Sequence, residues 1–274
     1  DCDSAMTYLP DQYVGDDQYL GSSQRGRATR LAAMALKARV ALYAASPLFN
    51  PTNDVAKWQL AAQLAADLIN AEGGLQDLSA YGEYDNTDNP DHYWRTSFRT
   101  NNLPERENLP FTIFGNGTVN PSQNLVDAFP AASGYPIDMD PAYDPQDPYT
   151  GRDARLSHFI FVNGDTEYQV APDPVQTFEG GADADGGLKL VGTRTGYYMK
   201  KWLAKVNLDP NASGVTTEKN KFGVYLGRAE LYLNFAEAAN EGYSAQTIIG
   251  GITAEDALAK VRARGGFPPG DPYL

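Results

Sequence analysis

Residues 81–102 read YGEYDNTDNPDHYWRTSFRTNN, and their composition sets the first chemical question. The rings Tyr81, Tyr84, Tyr93, Trp94 and Phe98 alternate with Asn86, Asp88, Asp91, Arg95, Arg99, Asn101 and Asn102. Flat aromatic faces suit the C–H side of a pyranose ring, and amide, carboxylate and guanidinium groups suit its hydroxyls. The segment therefore predicts a carbohydrate contact through Trp94, Tyr93, Tyr84, Tyr81, Arg95 and Asn101. The competing reading is that these rings serve as the core of an irregular segment with little else to bury. Tyr168, in NGDTEYQVAPDP, is a lesser candidate of the same kind. Trp58 and Trp202 are expected to pack, as are Tyr197 and Tyr198.

Catalytic chemistry finds less support. Glu230 and Glu237 lie seven apart on one side of an apolar helical pattern, so paired carboxylates of a glycosidase have to be weighed. Arg39, Arg262 and Arg264 stand in neighbouring helical segments, and structural ion pairs are the favoured reading. Arg152, Asp153 and Arg155 likewise read as a network that fixes a loop. His92 and His158 are isolated, no G-x-S-x-G elbow occurs, and Cys2 has no nearby base. No catalytic residue is assigned and no cofactor is expected. The acidic runs DNTDNPD, DMDPAYDPQD and DADGG offer hard oxygen ligands but lack the EF-hand spacing, so no metal site is assigned.

The elements that would position these residues are helices at both ends. Thr29 caps a helix that runs to Ala45 and is stopped by Ser46-Pro47. Seven alanines at positions 32 to 45 allow close approach of neighbours, and a second apolar stripe of Leu36, Val40 and Tyr43 predicts cover on most sides. A second helix spans Asp54 to Ala71, with Trp58, Ala61, Leu64, Ala65 and Leu68 on one face and Gly73-Gly74 as its stop. Helical pattern resumes from Val224 to Glu241, with Gly242 as its cap, and Thr253 with Asp256 opens a last helix. Between them, Leu75 to Phe222 is rich in Gly, Pro, Asn and Asp, and predicts loops with a few short strands. No 34-residue tetratricopeptide period is visible.

The net charge of -13 and pI near 4.5 oppose nucleic acid as a partner. No apolar run approaches the roughly 18 residues of a membrane span. The single Cys2 cannot form an internal disulfide and is expected to be a buried thiol in a short amphipathic stretch, Cys2 to Leu9. Asp1 precedes it, against a lipid-anchored start. The chain opens at Asp1 and ends in PPGDPYL, so the expectation is an interior piece of a longer protein.

Four stretches in order resemble the SusD/RagB family of outer-membrane nutrient-binding lipoproteins of Bacteroidetes. They are GRATRLAAMALKARVALYAASPLFN; PSQNLVDAF with YDPQDPYTGRDARL; TGYYMKKW; and YLGRAELYLNFAEAANE with ALAKVRARGG. The resemblance implies a mainly α fold of tetratricopeptide-like helix pairs carrying a large loop region with a few short strands. It implies one domain over 1–274, with scaffold at 1–74 and 223–274 and a ligand-binding region at 75–222, incomplete at both ends. It further implies a non-enzymatic protein on the cell outer membrane, held by a lipid anchor outside this chain. Such a protein binds a glycan or another nutrient and passes it to a SusC-like TonB-dependent transporter. The shared motifs belong to the scaffold, so no ligand residue is carried over from them. The alternatives are a polysaccharide-degrading enzyme and a helical protein-binding scaffold.

Overall fold

The structure, a computed structural model, describes residues 1–82, 84–166, 174–187, 192–203, 215 and 218–267. Tyr168 lies outside them. The chain divides into two compact units: Asp1–Ser79, Asp88–Ser97 and Phe222–Arg264 form the first, and Ala80–Thr87, Phe98–Lys221 and Gly265–Leu274 the second.

The first unit holds helices α1 (Cys2–Tyr8), α2 (Arg30–Ala45), α3 (Val55–Ala71), α7 (Arg228–Gly242) and α8 (Ala254–Arg264), with strands β1 (His92–Arg95) and β6 (Val224–Gly227). The caps are those the sequence predicts. The Thr29 side chain accepts from Ala32 N and the Asp54 side chain from Ala56 N, which satisfies an orphan first-turn N–H in each helix. At α8, Thr253 Oγ1 accepts from Asp256 N at 3.1 Å while Asp256 Oδ2 accepts from Thr253 N at 3.0 Å, a reciprocal capping box. Small residues then let the helices close on one another: α2 packs on α3, α3 on α7 and α7 on α8. Their common core joins Ala38, Leu42, Trp58, Ala62, Ala66 and Leu68 to Leu231, Tyr232, Phe235 and Ala239.

Four expectations need correction here. Val224 to Gly227 is not the start of a helix; it is a strand antiparallel to β1, pairing Val224 with Arg95 and Leu226 with Trp94. Its β-branched and aromatic residues suit an extended strand, and the helix begins only at Arg228. Gly242 is not a left-handed cap but the last residue of α7, and its missing side chain makes room for α3. A Cβ there would stand 3.0 Å from Gln59 N and 3.2 Å from Trp58 Cβ. The outer stripe of α2 is also barer than expected, with Leu36, Val40 and Tyr43 all exposed, and Cys2 is half-buried, not buried.

A buried polar centre ties the first unit together. Arg228 donates to Glu72 Oε1 at 2.7 Å and to Asp91 Oδ1 at 2.9 Å, and all three side chains are at most 10% exposed. Burial works against the Arg228 charge, but hydrogen bonds and attraction from Glu72 outweigh it and hold its pKa above the ordinary value.

The second unit is built from α4 (Leu103–Asn108), α5 (Gln123–Asp127), α6 (Ala154–Phe159) and strands β2 (Arg99–Asn101), β3 (Ile160–Phe161), β4 (Tyr198–Met199) and β5 (Lys219–Lys221). β2 pairs with β5 and β3 with β4, both antiparallel. Short helical turns thus join the expected strands: Phe111–Ile113 of the apolar run PFTIFG is a 3-10 turn, and LSHFIF ends α6 before entering β3. Two small cores fill this unit, one around Leu109, Ile113, Phe161 and Tyr198, the other around Val126, Leu156, Ile160 and Tyr197. Tyr197 and Tyr198 pack as expected.

Removing Arg228 takes the nearest cation from two buried carboxylates. Arg228→Met should lower the unfolding free energy by about 3–5 kcal/mol, measured as a shifted urea midpoint with an unchanged slope. A loss under about 1 kcal/mol would show that the pair carries little of the fold.

Candidate functional site

The expected carbohydrate-contact residues fall in both units. Strand β1 carries Tyr93, Trp94 and Arg95, and its burial alternates, with Tyr93 and Arg95 buried and Trp94 half-buried. Alternation follows from the pleat, which sends successive side chains to opposite faces. Tyr93 points into the core and its hydroxyl donates to Glu72 Oε2. Burial, reinforced by the Glu72 charge, pushes this phenol far above the usual range. Its ring offers no face to a ligand. The Arg95 guanidinium donates to Thr96 O at 3.0 Å and stands 5.2 Å from the Phe222 ring centroid, a buried cation–π contact. Trp94 keeps part of its indole open and meets Tyr225 at 5.3 Å between centroids, with the planes tilted by 57°. Tyr225 itself is 54% exposed.

In the second unit, Tyr81, Tyr84 and Asn101 are each half-buried. Tyr81 packs edge-on against Phe159 at 5.1 Å and lies 5.7 Å from the His158 ring. Asn101 Oδ1 accepts from Leu103 N at 3.0 Å, which fixes the turn into α4.

The second unit also corrects the expectation for Trp202, which does not pack: it is 60% exposed. The register of β3 and β4 explains its place. Ile160 pairs with Met199, so Phe159 stands opposite the residues leaving β4, and its carbonyl accepts from Lys200 N at 2.9 Å and Lys201 N at 3.1 Å. Leu203 N then closes a four-residue turn on Lys200 O at 3.2 Å, with Trp202 as its third residue at φ +70°. Gly or Asn usually takes that position, because a Cβ there costs about 1–2 kcal/mol. Lys201 Nζ sits 5.0 Å from the ring centroids of both Phe159 and Trp202. Sequence reasoning missed this residue because its motif reads as scaffold. The signal it did carry was a tryptophan directly after two lysines.

The alternative chemistries resolve into structure. Arg39 bonds both carboxylate oxygens of Glu230, as the ion-pair reading expects, while Glu237 is exposed. Arg264 approaches Asp91 at 3.9 Å. Asp183 is fully buried, accepting from Thr112 N at 2.9 Å, Thr112 Oγ1 at 2.9 Å and Gln176 N at 3.0 Å, so its carboxylate is committed to the fold. Asp140 and Asp144 accept from backbone N–H groups two residues on, as turn-forming aspartates do. Among the described residues, no group of three or more His, Cys, Asp or Glu side chains is arranged to hold a metal. Arg155 pairs with Asp153, and Arg152 donates to the carbonyls of Pro148, Val126 and Phe129, which fixes the loops around α5 and α6.

Stacked small-residue helices in the first unit, and short helices and strands among loops in the second, define a mainly helical, tetratricopeptide-like fold. Residues 77–273 match the SusD family, and the chain belongs to that family. A SusD-like protein from Bacteroides fragilis NCTC 9343 is 26% identical, with a TM-score of 0.66 over 99% of this chain and 53% of its own. A SusD-like carbohydrate-binding protein from the same organism is 24% identical, with a TM-score of 0.65 over 98% of this chain and 50% of its own. A structure with xylogluco-oligosaccharide is 19% identical, with a TM-score of 0.60 over 98% of this chain and 49% of its own. The chain thus spans about half the length of these solved structures. No curated protein matches the sequence.

The buried phenols give a prediction about alkali. Burial raises Tyr93, Tyr149, Tyr198 and Tyr232, with Tyr198 pushed up to about 12. A folded pKa above the unfolded value of about 10 means the contribution is full below pH 10 and is lost as pH rises above it. Of the 17 tyrosines, a buried subset should therefore ionise only with unfolding, followed as phenolate absorbance against circular dichroism. Ionisation of every tyrosine near pH 10 with the fold intact would contradict these placements.

Proposed function

We propose that this chain binds glycan at the cell surface and serves delivery of that glycan to a SusC-like TonB-dependent outer-membrane transporter. The observation that carries the reading is the Trp94–Tyr225 pair, an indole and a phenol that keep ring surface open on a scaffold of the SusD family. Partly open rings braced from beneath are what stacking on a sugar requires, because the ring is held before the ligand arrives. The carbohydrate-binding description of one solved relative and the oligosaccharide in another support the same class of ligand. In this reading residues 1–274 work as one functional domain, and the protein is held at the outer membrane by a lipid anchor. Among the described residues no helix is long and apolar enough to cross a membrane.

Of the residues expected from sequence, Trp94 is proposed as the contact in the first unit, and Tyr81, Tyr84 and Asn101 are proposed separately as contacts in the second. Tyr93 and Arg95 are proposed to act by bracing β1 beneath Trp94. The protein is read as non-catalytic: Arg39 engages the Glu230 carboxylate, which supports the ion-pair reading of that residue over an acid–base one.

Calorimetric titration of the full-length protein with a panel of soluble polysaccharides tests the reading. Binding to at least one is expected, with no reducing ends released, and Trp94→Ala should weaken it more than tenfold. Absence of binding across the panel would sink the function. An unchanged affinity in Trp94→Ala would sink the site alone.

A further inference from the structure

We infer that the Trp202 turn is a second glycan-contacting platform, on which a pyranose ring stacks against the open surface of the indole while Lys201 donates to an oxygen of the same oligosaccharide. The inference rests on the glycan-binding reading above and adds a contact that the aromatic segment 81–102 does not contain.

Three observations converge on it. Trp202 is 60% exposed, so most of its large apolar surface stays in water. It occupies a left-handed position, φ +70°, in a turn closed by Leu203 N on Lys200 O at 3.2 Å. Strained backbone of this kind persists where surrounding structure enforces it, and it collects at ligand clamps. Here the enforcement is visible. Phe159 O accepts from both Lys200 N and Lys201 N, and Lys200 is a buried cation bonded to Asp165 at 3.0 Å.

The third observation is the company the indole keeps. Lys201 Nζ lies 5.0 Å from the centroids of Trp202 and of Phe159, and Phe159 meets Tyr81 at 5.1 Å. One ammonium is thus set between two rings, with a phenol beyond the second. Beside the indole stands the Lys201 ammonium, so an apolar face that suits sugar C–H groups and a donor that suits sugar oxygens lie together. Tyr81, expected from sequence as a glycan contact in its own right, meets the same Phe159 ring.

The test compares the full-length wild type with Trp202→Ala, Trp202→Gly, Trp202→Phe and Trp94→Ala. Xyloglucan, starch, mannan and a polyuronide are titrated by calorimetry, and thermal midpoints are recorded for every variant. For a polysaccharide that the wild type binds, Trp202→Ala and Trp202→Gly should each lose at least tenfold in affinity and keep the wild-type midpoint. Trp202→Phe, which retains a ring, should lose less. Glycine suits the left-handed backbone, so Trp202→Gly guards against a loss caused by misfolding. Wild-type affinity in Trp202→Ala, alongside weakened binding in Trp94→Ala, overturns this inference and leaves the proposed function standing. Lowered midpoints in both the Ala and Gly variants assign Trp202 to packing and overturn it as well. No binding by the wild type to any of the four overturns both readings.

Discussion

The first unit depends on one buried charge. Arg228 opens α7 and bonds Glu72 at the end of α3 and Asp91 just before β1, so one guanidinium joins two helices and a strand. The neighbours complete the valences. Asp91 also accepts from Ser79 N at 2.8 Å, and Glu72 accepts from the Tyr93 hydroxyl. A buried carboxylate without these partners would cost several kcal/mol, so the chain can close only in the register that supplies them all. That register is what sets Tyr93 inward and leaves Trp94 partly open.

The loop-rich unit solves the same problem without long helices. A segment with little regular structure still has to satisfy its buried backbone groups, and here polar side chains reach into it to do so. Arg152 collects three carbonyls, Asp183 collects two backbone N–H groups and a hydroxyl, and the Tyr198 hydroxyl links Thr193 N to Asp183 O. These residues look like binding chemistry in a sequence because they are polar, aromatic and clustered. In the fold they are spent on the loops themselves.

That difference explains which features were legible. Helix bounds were, because caps and stops act locally: Thr29, Asp54 and the Thr253–Asp256 box mark their termini by bonds that span two or three residues. Packing between helices was legible through alanine and the apolar stripes. The start at Val224 was misread because VYLG carries an apolar stripe equally well as strand or helix, and its partner, His92–Arg95, lies more than a hundred residues away. Without that pairing the pleat could not be applied to Tyr93, Trp94 and Arg95, and all three stood as ligand contacts. Gly242 was read as a cap because glycine after a helix usually is one; its function here comes from Trp58 and Gln59 across the helix interface.

Trp202 shows where local reading reaches its limit. Its neighbours in sequence, Tyr197 and Tyr198, are core residues, and a motif that packs at one end is easily taken to pack throughout. The change comes at the end of β4, where a two-residue strand gives way to a turn and the alternation that buried Tyr198 no longer applies. From there the backbone is set by Phe159 and Leu203, and the indole is carried outward on a conformation that its own side chain disfavours. A core tryptophan would offset that strain by burial. Here the two hydrogen bonds to Phe159 O and the buried Lys200–Asp165 pair hold the turn instead.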